Sequence, residues 1–159
     1  MSVRSADEAR AALSAGAHLI DVKDPVKGSL GAPNGQTVAE VVAEVAGRVP
    51  VSVALGELGE QADISSLGRC VDVDFAKVGM AGCGTWPDWP DRWAAFLQRL
   101  PHTVKPVAVV YADAPSAAGP EPERVLAEGA RLGCAAVLVD TFNKSGGNLV
   151  RWWTLDKIA

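Results

Sequence analysis

Five short runs in this chain are apolar on both faces of any strand they could form, and segments of helical period separate them. The runs are His18–Val22, Val51–Leu55, Val73–Val78, Val107–Tyr111 and Ala135–Asp140. A strand half-exposed to water alternates apolar with polar residues. Runs apolar on both faces belong to parallel strands covered by helices. The intervening segments fit that role. Ser5–Ala15 (SADEARAALSA) carries Ser5 and Glu8 at capping-box spacing. Gln36–Val45 and Glu121–Leu132 read as helices, and Ala62–Cys70 as a weaker one. Trp89–Leu100 sets Trp93, Phe96, Leu97 and Leu100 at helical spacing. Ala114–Pro122 reads as a loop, and Leu149–Ile158 as a last helix that begins near Trp152 and Trp153. The fold class expected is α/β. Rhythm alone leaves a doubly wound sheet and a (β/α)8 barrel both open.

Composition narrows the function classes. With 159 residues, 48% of them hydrophobic, the chain can build one sizeable core. Its 15 Lys+Arg against 19 Asp+Glu give a net charge of −4, which argues against nucleic acid or an anionic membrane as partner. No apolar run approaches the ~20 residues of a membrane span. The start, Met1-Ser2-Val3-Arg4, lacks the apolar stretch of a signal peptide, so a cytoplasmic protein is expected. Cys70, Cys83 and Cys134 form no C-x-x-C pair, and only His18 and His102 supply imidazoles. Neither a disulfide framework nor a metal site is expected. The tryptophans lack the basic neighbours that stacking on nucleic acid would want, and Trp86, Trp89 and Trp93 read as helix anchors.

In parallel βα folds the loops after the strands converge on one mouth, so charge at the C-terminal ends of strands marks a candidate site. Asp21 and Lys23 flank Val22 and point to the same side of their strand. Lys77 sits late in VDFAKV, Asp113 follows VAVVYA, Asp140 closes AAVLVD and Lys144 lies just beyond. Burying a charged lysine is costly, and both desolvation and a neighbouring cation favour the free amine. Such an amine can attack a carbonyl to form a Schiff base, or take a proton from the carbon beside one. Asp21 and Asp140 would hold the lysines or shuttle protons. Taken singly, each of these charges also reads as a structural ion pair or a strand-end group reaching solvent.

The loop Asp24–Ala32 (DPVKGSLGA) offers glycines, Ser29 and Lys27 to a phosphate, although it also reads as an ordinary turn. One echo runs through the chain. SAGAHLID and GCAAVLVD both lead from a glycine through an apolar strand to an aspartate at its far end. Ordinary helix-to-strand turns with a capping glycine would produce the same pattern.

LIDVKDPVKGSLGA (Leu19–Ala32), DFAKVGMAG (Asp74–Gly82), VVYADA (Val109–Ala114) and GCAAVLVDTFNKSGG (Gly133–Gly147) resemble the (5-formylfuran-3-yl)methyl phosphate synthase family of methanofuran biosynthesis. The resemblance implies a (β/α)8 barrel. The chain, residues 1–159, would hold five to six βα units as a single partial barrel domain, with its first strand reduced to Ser2-Val3-Arg4 and the last strands missing. It implies a lyase that condenses two molecules of glyceraldehyde 3-phosphate, with loss of phosphate and water. Lys23 would be the Schiff-base lysine and Lys77 the proton acceptor, while Asp21, Asp140 and Lys144 match the remaining charged positions. The iminium serves as electron sink, so no cofactor is implied. A small phosphorylated triose is the expected partner, and a second copy of the chain would cover otherwise open strand edges. Two other readings stand beside this one: a truncated, non-catalytic α/β domain that binds sugar phosphates weakly, and a different class I Schiff-base aldolase.

Overall fold

The computed structural model describes residues 1–59, 62–68, 72–154 and 156. Its elements follow the alternating rhythm: β1 (Ser2–Val3), α1 (Ala6–Ser14), β2 (Ile20–Val22), α2 (Gly35–Val45), β3 (Val51–Glu57), β4 (Phe75–Gly79), α3 (Trp89–Leu97), β5 (Lys105–Tyr111), α4 (Ala114–Ala117), α5 (Pro122–Arg131), β6 (Ala136–Asp140) and α6 (Leu149–Trp152). Single 3-10 turns lie at Pro25–Lys27, Ile64–Leu67 and Lys144–Gly146. All six strands join one parallel sheet in the order β1-β2-β3-β4-β5-β6. A doubly wound sheet reverses its strand order at a switch point, and these six strands show no reversal. The architecture is α/β, with a sheet ordered like part of a barrel and edges at β1 and β6. Among the described residues no helix is long and apolar enough to cross a membrane.

Local chemistry sets the element ends. The Ser5 side chain accepts the Glu8 N–H at 3.3 Å, capping α1, and Asn34 caps α2 through the Thr37 N–H at 2.8 Å. The outer face of the sheet (Ile20, Val22, Val53, Leu55, Ala76, Val78, Ala108, Val110) packs on Ala9 and Ala12 of α1, on Val38, Val41 and Val45 of α2, on Trp93 and Phe96 of α3, and on Val125 of α5. Each such aliphatic side chain contributes about 1.5–3 kcal/mol when taken fully from water. Helix α5 comes close: a methyl at Gly129 would lie 2.8 Å from the Ala108 methyl and 3.3 Å from the Trp93 ring. On β6 the cover thins, and Val137 is 52% exposed.

Several expected boundaries move. His18 lies exposed in the bend before β2, which starts only at Ile20. The expected helix over Ala62–Cys70 is reduced to one 3-10 turn at Ile64–Leu67, where the Asp63 side chain takes the Ser65 N–H at 2.7 Å. That local bond competes with helix propagation. Residues 69–71, Cys70 among them, lie outside the described residues. The expected loop over Ala114–Pro122 contains the short helix α4. Trp152 ends α6 instead of opening it, and Trp153 leaves the helix in extended conformation and is buried. Of the remainder of that expected helix, residues 155 and 157–159 lie outside the described residues.

Candidate active site

Alternation sends one face of the sheet toward the helices and the other, inner face toward Asp21, Ser52, Ala54, Lys77, Val107, Val109, Tyr111, Leu138 and Asp140. Register places Asp21 beside Ser52, Ala54 beside Lys77, Lys77 beside Val107, and Tyr111 beside Asp140. The charged side chains thus share one face, next to a patch of Leu30, Ala54, Val109 and Tyr111 backed by Leu138 and Phe142.

Lys77 is 6% exposed, and its ammonium forms a buried ion pair with Asp21 Oδ1. Its Nζ lies 3.5 Å from Ser52 Oγ, and Asp21 Oδ2 accepts the Ser2 hydroxyl at 3.0 Å. Burial pushes the Lys77 amine below the ordinary lysine range, while Asp21 pulls it back up. Nearby Lys23 pushes it further down, and Asp140 opposes that. Three of the expected residues, Asp21, Lys23 and Asp140, therefore act on the amine of a fourth, Lys77.

Lys23 donates to the Ser29 carbonyl at 3.3 Å, and the Ser29 hydroxyl donates to Asp140 Oδ2 at 3.1 Å. Lys144 completes the group, reaching Asp140 Oδ1 at 2.6 Å and the Thr141 carbonyl at 2.5 Å. The loop Asp24–Ala32 is folded on itself. Lys27 donates to the Ala32 carbonyl at 2.9 Å, the Gly31 N–H goes to the Gly28 carbonyl, and the Asp24 N–H goes to the Gly31 carbonyl. These groups close a turn, and Ser29 is the residue that ties the loop to the charged cluster.

The echo between the two strands extends into the loops. Asp24 accepts the Val26 N–H and Asn143 the Ser145 N–H, each opening a 3-10 turn at matching distance from Asp21 and Asp140. Each turn ends on a left-handed glycine with nearly equal torsions: Gly28 at φ 110°, ψ −172°, and Gly147 at φ 111°, ψ −176°. Only glycine adopts that backbone without strain.

Three further residues contribute: Asp113, already conspicuous as a strand-end charge, and Tyr111 and Glu57, which the sequence does not single out. Asp113 is fully buried and accepts the Phe142 and Asn143 N–H groups at 2.7 and 2.9 Å, so it fixes the loop that carries Lys144. Tyr111 donates to Glu57 Oε1 at 2.5 Å, and Glu57 Oε2 accepts the Ala81 N–H at 2.9 Å. Burial and the Glu57 carboxylate push the Tyr111 phenol far up, so it stays protonated. Cys83 and Cys134 are free thiols, each pushed up to about 11 by burial.

Comparison with known proteins bears on this site. The family model described as 4-HFC-P synthase matches residues 1–159. The chain is 33% identical over 160 residues to the (5-formylfuran-3-yl)methyl phosphate synthase of Methanopyrus kandleri, covering 96% of this chain and 68% of that protein. It is 30% identical over 156 residues to the same-named protein of Methanococcus aeolicus, covering 94% and 66%. With that of Methanosarcina mazei it shares 32% over 153 residues, covering 89% and 64%. The chain spans about two thirds of the length of these curated relatives.

Proposed function

The chain belongs to the 4-HFC-P synthase family, and on that premise we propose that it condenses two molecules of glyceraldehyde 3-phosphate into (5-formylfuran-3-yl)methyl phosphate. The observation that carries the reading is the Lys77 amine: buried on the inner face, paired with Asp21, and held below the ordinary lysine range with Lys23 nearby. In the proposed reaction the Lys23 amine adds to a substrate carbonyl and loses water, giving an iminium. The neutral Lys77 amine then takes the proton from the adjacent carbon, and the resulting enamine attacks the aldehyde of the second triose. Loss of phosphate and of one further water closes the furan ring, and ring closure expels the Lys23 amine, which returns to its free form. Asp21 stabilises the ammonium that forms as Lys77 takes the proton, while Asp140 and Lys144 form the opposite wall. This agrees with the hydrogen bonds from Ser29 and Lys144 that converge on Asp140.

The same reading takes the six strands as the larger part of an eight-stranded barrel, with residues 1–159 as one partial barrel domain. Sequential strand order and the two sheet edges support it. A second copy of the chain is one way to cover those edges. The substrate is a small phosphorylated triose dissolved in water, which suits a cytoplasmic enzyme. Purified chain incubated with glyceraldehyde 3-phosphate should release inorganic phosphate together with a furan-aldehyde chromophore. Consumption of the triose phosphate with neither furan nor phosphate release would favour a different Schiff-base aldolase, and folded protein that leaves the triose phosphate unconsumed would overturn the reading.

A further inference from the structure

Glu57 reaches the inner face by a departure from strand parity. Pairing runs Ala54 to Lys77 but Glu57 to Gly79, so β3 spends one more residue than β4 over that interval. Such a bulge turns a side chain from one face of a sheet to the other. Gly56, at φ 87°, supplies the left-handed backbone inside it. Without the bulge, Glu57 would face the helices. With it, the carboxylate lies over Gly79, where even a methyl group would collide with both its oxygens. Gly79 is the next inner-face position after Lys77, roughly 7 Å along the strand.

The carboxylate is also held rigidly. Tyr111 donates to one oxygen at 2.5 Å and the Ala81 N–H to the other at 2.9 Å. Tyr111 in turn is 4% exposed, and its ring packs edge-on against Phe142 at 5.4 Å. Glu57 borders a cleft of about 740 Å³ whose wall includes Lys27, Gly31 and Ser66. A carboxylate offers about four acceptor directions. Tyr111 and Ala81 are among its donors, and a carboxylate accepts several donors at once.

We propose that Glu57 accepts a hydrogen bond from the hydroxyl on the carbon beside the substrate carbonyl, with Tyr111 as its positioning residue. The pair then selects α-hydroxy aldehydes over aldehydes that lack that hydroxyl. The proposal rests on the Schiff-base reading above, and its spacing fits: the hydroxyl sits on the carbon that Lys77 deprotonates, and its hydrogen bond spans the remaining distance to an acceptor about one strand step along.

Borohydride trapping at Lys23 tests it with two compounds, glyceraldehyde 3-phosphate and its 2-deoxy analogue, 3-oxopropyl phosphate. Wild-type protein should trap the hydroxylated compound about tenfold faster, the discrimination expected of one hydrogen bond to a charged acceptor. Glu57→Ala should bring the two rates within twofold while the analogue is still trapped, and Tyr111→Phe should give an intermediate ratio. A purely structural role would slow both compounds alike and preserve the ratio, and that result overturns the proposal. Should Glu57→Ala not fold, the Tyr111→Phe ratio decides in the same way. Equal wild-type rates overturn the proposal and leave the lyase reading intact, whereas no wild-type trapping of either compound sinks the lyase reading and this proposal with it.

Discussion

Lys77 and Asp21 pair across an intervening strand: they stand on β4 and β2, and Ser52 of β3 lies between them, 3.5 Å from the Lys77 nitrogen. The pair spans three neighbouring strands. Buried ion pairs of this kind add little net stability, because desolvation offsets most of the attraction. What the pair does control is the proton affinity of Lys77.

Asp21→Asn removes the strongest influence holding the Lys77 proton, since burial lowers the amine and Asp21 opposes burial. The amine then becomes neutral at lower pH. The acid limb of the kcat/KM profile for furan formation, which requires neutral Lys77, should move to lower pH. A limb that stays in place or rises would contradict the assignment of Lys77 as proton acceptor.

The same shift has a consequence for stability. The folded chain holds the Lys77 proton less tightly than the unfolded chain does. Between the lowered value and the ordinary lysine value of about 10.4, the unfolded state binds more protons, so this group's contribution to stability rises with pH across that window. Asp21→Asn widens the window downward. Urea unfolding at a series of pH values should show this rise beginning at lower pH in the variant than in the wild type.

Asp113→Ala deprives the Phe142 and Asn143 N–H groups of their acceptor in a fully buried setting. Each orphaned donor costs about 1–3 kcal/mol, so a loss of about 2–5 kcal/mol is expected in denaturant unfolding. The loop carrying Lys144 should also exchange its amide hydrogens faster. A change below about 0.5 kcal/mol, the range of an ordinary surface substitution, would show that Asp113 does not hold this loop.

Gly79→Ala and Gly16→Ala separate two uses of glycine. At Gly79 an added methyl meets the Glu57 carboxylate, so the variant should lose product formation along with about 1–3 kcal/mol of stability. At Gly16, with φ 83° and nothing within 4 Å, the cost is backbone strain of about 1 kcal/mol with activity retained. Equal activity in the two variants would contradict the placement of Glu57 in the site.

Much of the site was legible because charge is conspicuous in an apolar strand. Asp21, Lys23, Lys77 and Asp140 stand out that way, and alternation places Asp21 and Lys23 on one side of their strand. Glu57 did not, for two reasons. It lies beyond Leu55, where the apolar run stops, and simple alternation from Ala54 would send it to the opposite face. Only the register change at Gly56 brings it in. In the sequence Tyr111 reads as one more apolar strand residue, and its hydroxyl acquires a role only when Glu57 arrives from another strand. In the sequence Ser29 reads as part of a loop that could meet a phosphate or be an ordinary turn. Its tie to Asp140 spans 111 residues of sequence, a distance that local pattern does not register. The strand order, too, is tertiary information: rhythm fixed the parallel α/β class, and the β1-to-β6 succession came from pairing.

The central claim is that Lys23 forms the covalent intermediate, and trapping tests it most directly. Purified chain is incubated with glyceraldehyde 3-phosphate, reduced with borohydride and mapped by peptide mass spectrometry. A reduced triose phosphate adduct on Lys23, absent in Lys23→Ala, is the expected result. Folded protein that forms no adduct, or an adduct that persists on another lysine in Lys23→Ala, would contradict it.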